Sequence, residues 1–490
     1  MRHLRLAFGL SLCLCRALSA DDRPNILFIV CDDLNTHVSS SDFAPIHTPT
    51  FDRLAASGMT FTRAFCQYPV CGPSRASFLS GLYPESTGIL DNTSDIRQAR
   101  PGTLTMPQFF KDHGYWTARV GKVFHNAKTN PGQSAWSVNP PRFENDELFV
   151  VAAARQKFEA EFGAVDLPQN RKRWRAQQKQ VMAPLNAQTP PGHGRSGLQD
   201  EQHKDGKNAR QVVQWLQQMS FGEQPFFITL GIQKPHVPFL APDRYFDLYP
   251  TEGITFHRDP ANLWDALPRE AGVKRYEAFG FDLGVENPSL RREYTQAYHA
   301  CVSFIDAQIG LVIDQLQQQG LWDNTIIVLT SDHGYHLGDH FLWGKVTLFD
   351  IGAKVPFLVR APGVTQPGTR SETMVELIDV FPTLADLAHL SPPESLQGVS
   401  LTPQLRDPAS RDSRDYAYSV VTRGQKLGYA IRNQNWRFGS WPSGEELYDL
   451  TNDPHERHNL AEDSRYQSRL VELRAALAER QSQARAQRRP

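Results

Sequence analysis

Ile26-Leu27-Phe28-Ile29-Val30-Cys31, followed at once by Asp32-Asp33, is a short apolar run that ends in two carboxylates. A run apolar at every position, rich in branched side chains, reads as a strand buried on both faces, the usual place of strands in a parallel sheet. Residues 226–232, 325–331 and 355–359 share that character and read as buried parallel strands too, and 115–120 is strand-like. Helical patterns lie between them. Thr48-Pro49 predicts the cap of a helix through Ala56, stopped at Gly58, and residues 294–319 predict a helix that ends at Gly320. This alternation predicts an α/β fold with a doubly wound, mostly parallel sheet flanked by helices. Ligands of such sheets gather beyond the carboxyl ends of the strands, so the residues just after each run are where chemistry is expected.

Charged clusters stand at those positions. Asp32 and Asp33 would repel each other at a strand end unless a cation or hydrogen-bond donors neutralised them. The plain alternative is that one of them caps the next turn. Residues 325–331 lead into Asp332-His333-Gly334, and the two clusters together offer three carboxylates and an imidazole, enough for a hard divalent cation. A nitrogen ligand keeps magnesium, manganese and zinc open beside calcium.

Cys71-Gly72-Pro73-Ser74-Arg75 is the clearest pointer to chemistry. A cysteine, a proline in the first turn and an arginine one turn later describe a nucleophile at a helix N-terminus, where free amides and the helix dipole attract an oxyanion and Arg75 shares the face of Cys71. A structural turn at Gly-Pro is the rival reading. Three further stretches bring basic groups: Lys122 and His125 in Gly121-Lys122-Val123-Phe124-His125, His236 in Lys234-Pro235-His236-Val237-Pro238-Phe239, and Lys345 in Trp343-Gly344-Lys345. Prolines restrict the backbone around His236. Taken alone, each of these lysines reads as surface charge.

Length and composition set the frame. The 490 residues suit a large α/β core with an appended subdomain, and 40% hydrophobic content suits a soluble enzyme. Lys and Arg number 52 against 53 Asp and Glu, so no overall basic field points to nucleic acid or an acidic membrane surface. Arg2 and Arg5, an apolar run over residues 6–15 and Leu18-Ser19-Ala20 have the layout of a secretory signal peptide, residues 1–20, which predicts export to a periplasmic, extracellular or lysosomal compartment. No stretch is long enough to span a bilayer. Lipidation at Cys13 or Cys15 is disfavoured by the leucines before them. The remaining Cys31, Cys66, Cys71 and Cys301 are too few for a disulfide framework, and Cys31 and Cys301 read as small core residues. In the insertion at about 146–222, Asn170-Arg171-Lys172-Arg173-Trp174-Arg175 reads as a solvated helix face, or as one wall of a cleft for an acidic polysaccharide. Leu470, Leu473 and Leu477, at helical spacing, predict a final helix packed on the smaller subdomain before an Arg-rich end.

Residues 71–81 resemble the sulfatase signature, in which the cysteine is oxidised after translation to formylglycine. The stretches GKVFH at 121–125, KPHVPF at 234–239 and SDHGYHLGDHFLWGK at 331–345 are similar to the iduronate-2-sulfatase-like branch of that family. The C-terminal Glu446-Leu447-Tyr448-Asp449-Leu450, with Asp453, Glu456 and Asn459, resembles a recurring tail of the family and reads as structural. The resemblance implies an alkaline-phosphatase-like catalytic domain at 21–405 and a smaller α+β subdomain at 406–490 that carries an antiparallel sheet. It implies one Ca2+ per chain, held by Asp32, Asp33, modified Cys71, Asp332 and His333. Arg75, Lys122 and Lys345 would stabilise the transferring sulfate, His125 would handle the proton of the nucleophilic hydroxyl and help release sulfate, and His236 would protonate the leaving alcohol. The implied substrate is a sulfate ester on a sugar, such as a 2-O-sulfated uronate of a polysaccharide, and the implied maturation partner is a formylglycine-generating enzyme. Two other readings stay open: a phosphatase or phosphonate monoester hydrolase of the same superfamily, and a secreted glycan-binding protein in which Cys71 stays unmodified.

Overall fold

The structure, a computed structural model, describes residues 23–125, 132–139, 141–186, 192–218, 224–256, 259–272, 287–410 and 414–486. The expected signal peptide, Cys13 and Cys15, and the end of the Arg-rich tail lie outside these residues. Strand Asn25–Asp32 runs through the middle of an eight-stranded sheet. Thr325–Ser331 lies parallel on one side of it and Phe226–Pro235 on the other, with Trp116–Gly121 parallel beyond. Its side chains alternate between two cores. Leu27, Ile29 and Cys31 face the helices Lys204–Gln218 and Pro288–Gln318, while Ile26, Phe28 and Val30 face Cys71–Ser80, Met106–Asp112 and Val380–Leu387. Burial on both faces is what an unbroken apolar run permits, and it yields the doubly wound arrangement.

One strand departs from the sequence reading. Lys354–Arg360 is antiparallel to Thr325–Ser331, and Met59–Phe65 is antiparallel to it in turn. A strand buried between two neighbours has the same apolar pattern in either direction, so composition could not set its sense. The double reversal has a consequence for the site. Met59–Phe65 points the same way as the central strands, so the chain leaves it toward Cys71 at the edge where Asn25–Asp32, Thr325–Ser331, Phe226–Pro235 and Trp116–Gly121 also end. Lys354–Arg360 starts at that edge, which delivers Lys345 there from the other direction.

One helix boundary also differs. The helix after Thr48 spans Pro49–Ser57, with Thr48 at its N-cap position and Gly58 at its end as expected, although Thr48 Oγ1 accepts from the Ser39 amide at 3.0 Å and not from a helix amide. The long helix begins at Pro288, six residues before the expected start, because Asn287 caps it by accepting from the Leu290 amide. A second sheet, the antiparallel meander Ala417–Arg423, Lys426–Arg432, Trp436–Trp441 and Gly444–Asp449, carries the helix Gln467–Arg485 on its face through Leu470, Leu473 and Leu477. In the insertion, helices Phe149–Phe162 and Arg171–Asn186 close over a satellite core. Trp174 is buried in it while Arg171, Lys172, Arg173 and Arg175 are exposed. Cys31, Cys66, Cys71 and Cys301 are free and buried. No helix among the described residues is long and apolar enough to cross a membrane.

Candidate active site

The helix Cys71–Ser80 starts on Cys71 itself and stops at Gly81, whose left-handed backbone (φ 68°) ends the turn as glycine can. Cys71 is buried. Its Sγ lies 3.2 Å from Lys345 Nζ and 3.4 Å from His333 Nε2. Lys345 Nζ also donates to Asp33 Oδ1 at 2.5 Å, and Lys122 Nζ to Asp32 Oδ2 at 2.5 Å. His236 Nε2 stands 4.0 Å from Asp33 Oδ2. Five stretches far apart in sequence thus meet at one sheet edge.

Arg75 is engaged differently from the sequence expectation that it turns with Cys71 toward a common anion. Its guanidinium is 1% exposed and fully committed: Nε donates to Asp332 Oδ2 at 2.8 Å, Nη2 to Asp32 Oδ1 at 3.4 Å and to the Cys31 carbonyl at 3.3 Å, and Nη1 to the Lys122 and Val123 carbonyls. It holds two carboxylates and the start of the Lys122 loop in fixed relation. The Gly72 amide is likewise taken, donating to Asn92 Oδ1 at 2.8 Å, and Ser74 Oγ donates to the Asp332 carbonyl at 2.5 Å. The sequence reading did not mark Asn92, and it quoted Ser74 within the cysteine motif without giving it a role. Asn92 sits in a turn built on Asp91, and nothing in its spacing from Cys71 signals the contact.

The approach of Lys122 depends on two glycines in register. Gly121 pairs with Gly231, and a Cβ on Gly121 would meet the Gly231 carbonyl oxygen at 1.9 Å. That closeness lets the Lys122 amide bond the Gly231 carbonyl at 3.1 Å and its side chain reach Asp32. Asp205, in the first turn of helix Lys204–Gln218, accepts from the Gln233 and Lys234 amides of the neighbouring strand and so fixes the start of the His236 loop, whose Lys234–Pro235 and Val237–Pro238 bonds are cis. Lys345 is held from the second sheet. The Val346 amide donates to the Pro69 carbonyl at 3.1 Å, and Arg423 donates to the Val346 carbonyl, keeping this β-branched residue at φ 72°.

Electrostatics follow from burial and pairing. Burial alone would raise Asp32, but Lys122, His236, Arg75 and Lys345 outweigh it and hold the carboxyl well below the usual range. Asp332 is pushed up to about 7, chiefly by burial, although Arg75 and His333 oppose it. Burial and Asp32 would also raise the Cys71 thiol, yet Lys122, Lys345 and His333 bring it down to about 6. His125 is lowered to about 4 by burial and then by Lys122, so its imidazole is neutral at pH 7, and its buried Nδ1 has no hydrogen-bond partner among the described residues.

The donor set fits a divalent cation. Asp32, Cys71, Asp332 and His333 place one ligand atom each within 4.8 Å of one another, and Asp32, Asp33, Cys71 and His236 do the same. Asp33 Oδ2 is buried with no hydrogen-bond partner among the described residues, a cost that a cation would relieve. His333 donates Nδ1–H to the Gly334 carbonyl at 2.9 Å; burial would lower this imidazole, but Asp332 outweighs it and raises it to about 9, so a cation bound at Nε2 would displace a proton there.

The sulfatase family model matches residues 24–390, and a second, described as N-sulphoglucosamine sulphohydrolase, C-terminal, matches 338–483. The chain belongs to the sulfatase family, enzymes that hydrolyse sulfate esters. It is 32% identical over 475 residues to a sulfatase of Formosa agariphila, covering 93% of this chain and 86% of that one. To the iduronate 2-sulfatase of Mus musculus it is 30% identical over 549 residues, covering 93% and 94%. A solved structure in complex with its substrate, D-glucosamine-2-N,6-O-disulfate, superposes with a TM-score of 0.74 over 95% of this chain and 98% of that one, at 22% identity, which establishes the alkaline-phosphatase-like fold.

Proposed function

We propose that this sulfatase removes a sulfate ester from a sugar, as the names of its relatives suggest, with Cys71 converted to formylglycine and Ca2+ held by Asp32, Asp33, residue 71, Asp332 and His333. The observation that carries the reading is Cys71 at a helix start, with Lys345 and His333 within 3.4 Å of its sulfur and three buried carboxylates around it. When bound, the cation polarises the sulfate, and the formylglycine hydrate supplies the attacking hydroxyl. Lys122 and Lys345 stabilise the negative charge of the transferring group from two sides, while Arg75 keeps Asp32 and Asp332 in place. His125, neutral at pH 7, accepts the proton at residue 71 and so assists sulfate release. His236 donates Nδ1–H to the Val237 carbonyl at 2.7 Å, which aims Nε2 into the site, and protonates the leaving sugar oxygen. Burial lowers that imidazole, and the charge of an arriving sulfate raises it again.

The proposed division, 21–405 and 406–490, puts every candidate catalytic and metal residue in the larger unit. Export through residues 1–20 and maturation by a formylglycine-generating enzyme belong to the same reading. Mass analysis of the peptide containing residue 71, from chain co-produced with such an enzyme, tests it. The expected product is the aldehyde, and an unmodified cysteine together with full sulfate release would refute the proposed nucleophile.

A further inference from the structure

Beside the catalytic cluster a groove of about 310 Å3 opens at the carboxyl end of Trp116–Gly121. Lys122 and His125 form one end of it. Arg119, Arg142 and Lys204 line the rest, with Glu144 as the single lining carboxylate, its side chain exposed. Lys122 is already neutralised by Asp32, but among the described residues Arg119, Arg142 and Lys204 are in no ion pair.

Arg119 is the telling member. It is half-buried, its Nη1 donates to the Gly121 carbonyl at 3.0 Å, and its guanidinium lies 5.9 Å from the Trp136 ring centre, while its Nε is buried with no hydrogen-bond partner among the described residues. Burial, and after it the charge of Arg142, bring it down to about 10 from its ordinary value. A half-buried cation close enough to feel a second cation, neither of them in an ion pair among the described residues, is unfavourable, and an anion bound by the two guanidiniums would relieve it. The groove shares Lys122 and His125 with the reaction centre, so such an anion would sit on the same ligand as the sulfate ester.

We infer that this groove is an anion subsite for a second negatively charged substituent, a carboxylate or another sulfate, on the saccharide whose sulfate ester lies at Cys71. This deepens the sulfatase reading above and rests on it. The subsite selects sugars that carry two anions over sugars that carry one, and Arg119 and Arg142 make the selection.

Two matched pairs test it with the full chain, its residue 71 confirmed as the aldehyde: a sulfated hexuronate against its methyl ester, and a disulfated glucosamine against the monosulfated sugar. Wild type is expected to prefer the dianionic member of at least one pair by about ten-fold or more in kcat/KM, the worth of one charge-assisted hydrogen bond, and the preferred pair tells carboxylate from sulfate. Arg142→Gln, at an exposed side chain, is expected to shrink that preference several-fold, and Arg119→Gln to shrink it further. Equal preference in wild type, or a preference that both variants keep, would overturn the subsite while leaving the sulfatase reading intact. Absence of sulfate release from all four sugars would overturn that reading and the subsite with it.

Discussion

Around Cys71 the ammonium of Lys345 does two things at once, bonding Asp33 and standing 3.2 Å from the nucleophile position. Burial works against its charge, but Asp33 and Cys71 outweigh burial and keep Lys345 protonated far above neutral pH. Lys345→Ala is therefore expected to cut the rate of sulfate release by about 100-fold or more, the cost of losing one fixed donor to developing negative charge. The loss should appear in kcat, because the interaction strengthens as the sulfate transfers. An unchanged kcat would place Lys345 outside the reaction. Arg75 makes the opposite case. Its guanidinium touches two carboxylates and three backbone carbonyls, so Arg75→Lys, which keeps the charge but loses the fork of donors, is expected to lower both activity and thermal stability.

Between elements, the site depends on how closely two strands approach. A Cβ on Gly231 would lie 2.4 Å from the Lys122 backbone, so Gly231→Ala must push the Lys122 loop away from Asp32. The expected cost is about 1–3 kcal/mol of stability, with a fall in activity that exceeds what stability alone explains. Wild-type activity in a folded Gly231→Ala protein would show that the Lys122 position is not set by this crossing. The element scale is also where sequence reading reached its limit. The runs at 26–31, 226–232 and 325–331 were legible as strands because burial on both faces leaves an unbroken apolar signature, and the clusters after them were legible because carboxylates do not follow such runs by packing alone. The sense of Lys354–Arg360 was not legible, since both directions bury the same side chains. Asn92, and the contact that Ser74 makes, escaped because their bonds, to Gly72 and across 258 residues to Asp332, leave no periodic trace.

Across the molecule, the two sheets are joined by buried charge. Glu376, on the large sheet, accepts from the Tyr418 amide at the edge of the small one and from Tyr83 Oη at 2.6 Å, and Arg414 bonds both Glu376 and Asp379. Burial raises Asp379 to about 6, with Arg414 opposing. Arg414→Ala leaves Asp379 buried without its cation and Glu376 with only Arg480, 3.4 Å from its Oε1, a loss of about 3–5 kcal/mol. Because protonation relieves such carboxylates, the fall in the urea midpoint should be larger at pH 8 than at pH 5, and an equal fall at both would contradict the account. Farther along the chain, Arg437 joins Glu446 and Glu456, and Glu456 Oε2 accepts from the Asp350 amide, so the C-terminal tail braces the loop that carries Lys345, the structural role its sequence pattern suggested. Residue 71, set among these charges, is thus expected to hydrolyse sulfate esters. Inorganic sulfate release from defined sulfated sugars, with matched phosphate esters alongside, compared between wild type and Cys71→Ala after co-production with a formylglycine-generating enzyme, tests it most directly. Sulfate release by wild type alone is the predicted result, and equal release by Cys71→Ala, or release of phosphate in preference to sulfate, would contradict it.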